Sequence, residues 1–133
     1  MENTIILFAG IVSAIITFYF NNHLQLGGVM ASAGVSVLAG SFFYLFPELL
    51  SSYLTQNLPA VIMGASFIGM ATFRVIPQYW IIGISGLFFS FIYLFTGSYF
   101  DGFGGGLGTT AAISLCSVIG LNLVKNKLSF LRK

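Results

Sequence analysis

Long apolar runs separated by short polar turns organise this chain, and no run shows the strict alternation of a half-buried strand. Five runs stand out: about Thr4 to Phe20, Gly27 to Phe46, Leu58 to Phe73, Tyr79 to Phe95 and Gly105 to Val124. Each approaches the roughly 20 residues with which a helix crosses about 30 Å of hydrocarbon. Strands of a membrane barrel would instead read as segments of about ten residues with alternating polarity. The pattern predicts an all-α integral membrane protein, a compact bundle of five transmembrane helices in a single domain. The third run is the shortest, and its length also fits a tilted or re-entrant course, or a four-span alternative in which it lies on the surface. The stretch from Ala60 to Ala71 carries no charge to hold it out of lipid, which favours a crossing.

Composition sharpens this picture. Of 133 residues, 57% are hydrophobic and only 6% charged, with a mean hydropathy of +0.98; a soluble domain carries about a quarter charged residues. Disordered, disulfide-framework and nucleic-acid-binding classes are excluded, because each needs polarity, cysteines or a basic patch that this sequence lacks. Glu2 and the absence of a basic residue ahead of the first run argue against a cleavable signal peptide.

The few charges are segregated. Arg74 lies between the third and fourth runs, and Lys125, Lys127, Arg132 and Lys133 follow the fifth; Glu2, Glu48 and Asp101 fall in the opposite set of loops. The excess of basic residues on the cytoplasmic side of membranes then predicts the N-terminus outside and the C-terminus inside. The terse loops fit a bacterial plasma membrane, and the basic tail 125–133 is expected to touch anionic headgroups. Pro47 to Pro59 reads as the longest outer connection, a short interfacial helix with prolines marking both ends.

Small residues carry the remaining information. Gly28, Ser32, Ser36 and Gly40 recur every fourth position in the second run, as do Gly104, Gly108, Ala112, Cys116 and Gly120 in the fifth. Close approach of backbones and buried hydrogen bonds drive helix association in lipid, so these two helices are expected at the bundle's centre. The hydroxyls of Ser32, Ser36, Thr109, Thr110 and Ser114 then line either a packing seam or a narrow polar path between spans two and five. The stretch Gly27 to Val37 also echoes Gly105 to Leu115, and Ser13 to Phe18 echoes Ser90 to Phe95. If spans one and two correspond to four and five, the odd third span inverts one copy relative to the other, the plan of many secondary transporters.

Chemistry beyond this is sparse. Asp101-Gly-Phe-Gly-Gly-Gly lacks the Gly-Lys-Ser/Thr ending of a phosphate loop, leaving Asp101 as a helix cap or a cation contact at the outer mouth. Arg74 is an inner-edge snorkelling residue or gate, and Glu48 a second candidate ion contact. No carboxylate, lysine or histidine falls inside the runs, and His23 and Cys116 stand alone, so no catalytic pair, metal-ligand set or cofactor site is expected. The Thr-Thr-Phe-Ser stretch of small fluoride channels is not reproduced by Gly108-Thr-Thr-Ala, and the first run lacks the glutamate of small multidrug transporters. Two expectations follow: a small transporter or channel subunit acting as a homo-oligomer, or a non-catalytic accessory subunit whose glycine faces bind partner helices.

Overall fold

The computed structural model describes residues 1–96 and 104–132. They form five helices, α1 (Glu2–Asn22), α2 (Gly28–Leu45), α3 (Ser52–Ile68), α4 (Tyr79–Thr96) and α5 (Gly104–Leu131), and no strand. Four of these, all but α3, are long and apolar enough to cross a membrane. Asp101, which the sequence marks as a cap or cation contact, lies outside the described residues.

Local chemistry sets the helix ends. The turn after α1 closes at Gly27, whose φ of 86° lies where only glycine is unstrained, and α2 starts at the next residue. Ser51 caps α3, its hydroxyl accepting the N–H of Leu54. The expected boundaries of the third span are therefore corrected: the helix begins six residues before Leu58 and stops at Ile68. Pro59, read as the end of an interfacial helix, lies inside α3. A proline deletes one rung of the backbone ladder, and a capped, half-buried helix tolerates that loss. The fifth helix is also longer than its apolar run, continuing past Val124 to Leu131.

The centre of the bundle is not where the stripes of small residues place it. Among the described residues α2 and α5 make no contact; α3 lies between them and touches both, and α1 packs along α3 and α4. Among the described residues the core draws mainly on α1, α3 and α4, including Ile6, Ala14 and Phe18, Val61, Ala65 and Ile68, and Ile82 and Phe89, with Ala111 and Val118 added by α5 and no residue of α2. This corrects the expected α2–α5 centre. Glycines at Gly34, Gly40, Gly108 and Gly120 would meet nothing within 4 Å if they carried a Cβ, so those faces are open.

The close seams lie elsewhere. α1 and α4 cross at Gly10 and Gly86: a Cβ on Gly10 would stand 2.9 Å from the Gly86 carbonyl oxygen, and one on Gly86 would stand 2.7 Å from that of Gly10. A Cβ on Gly10 also meets Ser90, and one on Gly86 meets Ala14. Against α3, Thr17 packs on Gly69 while Tyr93 donates to the Asn57 Oδ1 at 3.1 Å. One turn further in, Ser13 reaches the Ile62 carbonyl while Phe89 covers Gly64.

These contacts fix directions. Glu2 and Ser51 are bonded at one end, Ser13 and Ile62 in the middle, and Asn21 and Met70 at the other end, so α1 and α3 run parallel and in step. α4 is antiparallel to both, since Tyr79 stacks edge-on against Phe18 at the end opposite to Tyr93–Asn57.

Candidate functional site

Among the described residues the buried polar side chains are hydroxyls; those of Ser85, Ser90, Thr110 and Ser114 bond to their own helices, and clusters of hydrogen bonds between elements form in two places. The first is the seam between α2 and α3. Ser66 is fully buried and donates to the Met63 carbonyl at 2.6 Å. Its proton being committed there, it accepts from Ser32 at 2.6 Å, and Ser36 stands 3.5 Å away. Ser13 closes the same region from α1 by donating to the Ile62 carbonyl at 2.7 Å. Three helices thus place four serines around residues 62–66 of α3.

The second place is the end of α3. The Asn21 amide donates to the carbonyls of Met70 at 2.9 Å, Ala71 at 3.1 Å and Gly69 at 3.3 Å. Asn22 donates to Ala71 and accepts the Phe73 N–H at 2.8 Å. Free carbonyls at a helix terminus need donors when water is scarce, and the two asparagines supply them from α1. One turn above, Thr17 Oγ1 is buried with no hydrogen-bond partner.

The residues singled out by the sequence distribute unevenly over this geometry. Ser32 and Ser36 join the α2–α3 cluster, with Gly28 packed against Met70 at the same helix face. Gly40 is exposed. On α5, Thr110 and Ser114 are buried but donate to the carbonyls of their own helix four residues back, Gly106 and Thr110; Thr109 is exposed and does the same to Gly105. Gly108 is half-buried with open space beside it, and Gly104 is the first residue of the helix. Among the described residues α3 stands between the hydroxyls of α2 and those of α5. Arg74 and Glu48 are exposed on connecting segments, Arg74 lying just beyond the asparagine clasp.

Sequence reasoning missed Ser66, Ser13, Asn21 and Asn22. A single serine in an apolar run gives no periodic signal, and the Asn-Asn pair reads as an ordinary turn. The signal that points to them is polarity itself, since a hydroxyl or amide inside a run must find a partner.

Among the depressions that the described residues form on the outer surface, two have volumes of about 410 Å³. One, between α1, α2 and α3, is apolar, with Phe8, Val12, Val35 and Ile62 among its walls. The other lies on the last turns of α5 and includes Lys125 and Arg132. Among the described residues no three metal-ligating side chains cluster, and His23 stacks on Tyr19. The arrangement places hydroxyl oxygens and backbone carbonyls in an apolar surround. Comparison with protein-family models, with curated proteins and with solved structures finds no match for this chain.

Proposed function

We propose that this chain is a non-enzymatic membrane transporter or channel subunit built from two inverted helix pairs, α1–α2 and α4–α5, about a central crossing helix α3. The observation that carries this reading is an exchange relation among the contacts. Swapping α1 with α4 and α2 with α5 leaves every helix neighbour relation unchanged. The swap also works at residue level. With Gly10 standing for Gly86, the contact Gly10–Ser90 becomes Gly86–Ala14; Ser13–Ile62 becomes Phe89–Gly64; and Thr17–Gly69 becomes Tyr93–Asn57. In α3 the swap reverses the chain about Met63, as an axis perpendicular to that helix requires. This correspondence pairs Ala14 with Ser90, one position from the sequence alignment of Ser13 with Ser90. Inverted repeats of this kind recur in secondary transporters, with sites near the midplane where the repeats meet, and the serines around residues 62–66 stand at the level of Met63, the point about which the exchange reverses α3.

The same reading has α3 crossing alongside α1, since the two stay in step from Glu2–Ser51 to Asn21–Met70. Five crossings put Arg74 and the basic end of α5 on one side and Glu2 and Glu48 on the other, hence the N-terminus outside and the C-terminus in the cytoplasm. Five helices of this size surround no wide aqueous route, so the working unit is a homo-oligomer in a plasma membrane. A second reading, an accessory subunit that docks partner helices, draws on the open faces at Gly34, Gly40, Gly108 and Gly120.

Reconstitution decides between them. Purified chain in liposomes is expected to form a stable oligomer and to pass at least one solute from a panel of small polyols, amino acids and monovalent ions. Ser66→Ala should change that flux several-fold while the protein still assembles. A chain that passes nothing from the panel and is stable only with another polypeptide overturns the transport reading in favour of the accessory one.

A further inference from the structure

We propose that Lys125, Ser129 and Arg132 form a binding site for the headgroup of an anionic phospholipid, whose acyl chain lies along Leu121, Val124 and Leu128. The inference rests on the membrane orientation given above but not on transport.

Helix α5 has 28 residues, about 42 Å at 1.5 Å per residue, whereas the hydrocarbon is about 30 Å thick. Its last turns therefore emerge into the headgroup layer. From Leu123 to Arg132 every side chain is exposed, so this extension leans on no other helix. The six residues just named line one depression of about 410 Å³. Positions 121, 125, 128 and 132 share one helix face, and the two cations stand about 10.5 Å apart along the axis, with Ser129 between them as a hydroxyl donor. No acidic residue occurs anywhere in α5 to neutralise them.

Charge complementarity selects an anion, and the three aliphatic side chains in the same depression select a lipid rather than free phosphate. Leu121, Val124 and Leu128 are 65%, 57% and 61% exposed, a surface an acyl chain covers and an inorganic ion does not. The long stems of Lys125 and Arg132 can lie on this apolar strip with their charged ends turned to the phosphate. Lys127 points about 200° around the helix from Lys125, so it adds to the general field without joining the site.

Native mass spectrometry of the full chain, released from nanodiscs containing phosphatidylglycerol and phosphatidylcholine, tests this. The chain is expected to retain phosphatidylglycerol preferentially. Lys125→Gln and Arg132→Gln should each weaken that retention about fivefold, on the scale of one basic residue at a membrane surface, and Lys127→Gln less than twofold. Leu128→Ser should lower retention with both charges intact. The proposal is overturned by equal retention of the two lipids, by a Lys127→Gln effect as large as the others, or by inorganic phosphate displacing phosphatidylglycerol at equal concentration. Retention is read without any flux, so its failure is distinct from a failure of the transport reading, which liposome assays report separately.

Discussion

At the scale of single residues, the bundle distinguishes glycines that sequence periodicity treats alike. Gly86 backs onto the Gly10 carbonyl with no room for a methyl group, so Gly86→Ala must push α1 and α4 apart. A loss of about 1–3 kcal/mol is expected, the usual cost of overpacking, measured as a lower unfolding temperature in detergent. Gly120→Ala, with nothing near its Cβ, should be neutral or slightly stabilising in the same measurement, since alanine favours helix. Asn21→Ala leaves the carbonyls of Gly69 and Met70 without the donor it supplies, and about 1–3 kcal/mol should be lost. Thr17→Val removes a buried hydroxyl that has no partner at nearly constant volume. It should leave stability unchanged or raise it, and a clear drop would mean that the hydroxyl is satisfied in the folded protein.

At the scale of helices, the apolar runs located α1, α2 and α4 within two residues at both ends, and α5 at its start only, because a helix compatible with lipid shows its length in hydropathy while the polar last turns of α5 do not. The third was displaced, and the reason is physical: a hydroxyl cap at Ser51 and packing against α1 carry the helix through Pro59, and neither is visible in a hydropathy pattern. The stripes of small residues misled about the centre for a related reason. A glycine periodicity marks a surface that permits close approach, but it does not name the neighbour, and the tight crossing fell to Gly10 and Gly86, which belong to no stripe. For α3 the reading of a full crossing makes a concrete prediction. With Cys116 replaced by alanine, single cysteines at Ser52 and Thr72 should react with an impermeant thiol reagent from opposite faces of sealed vesicles. Labelling of both from one face would return α3 to a re-entrant or surface course.

At the scale of the whole molecule, α1 and α3 end at the same level, next to the segment that carries Arg74, which the proposed orientation assigns to the cytoplasmic side. The two ends of the chain are accordingly expected on opposite sides of the membrane, and protease protection of tags fused at each end checks this in intact and opened vesicles. The proposed relation between the two halves is only faintly legible in the sequence, as the echo of Gly27–Val37 in Gly105–Leu115, because it rests on contacts such as Thr17–Gly69 and Tyr93–Asn57 whose residue types differ completely. The proposed relation maps the Gly10–Gly86 crossing onto itself. Should one hairpin rock against the other, this point acts as the fulcrum and stays nearly still, so a bulky side chain there jams the motion in both senses, whereas damage at Ser66 burdens only one half.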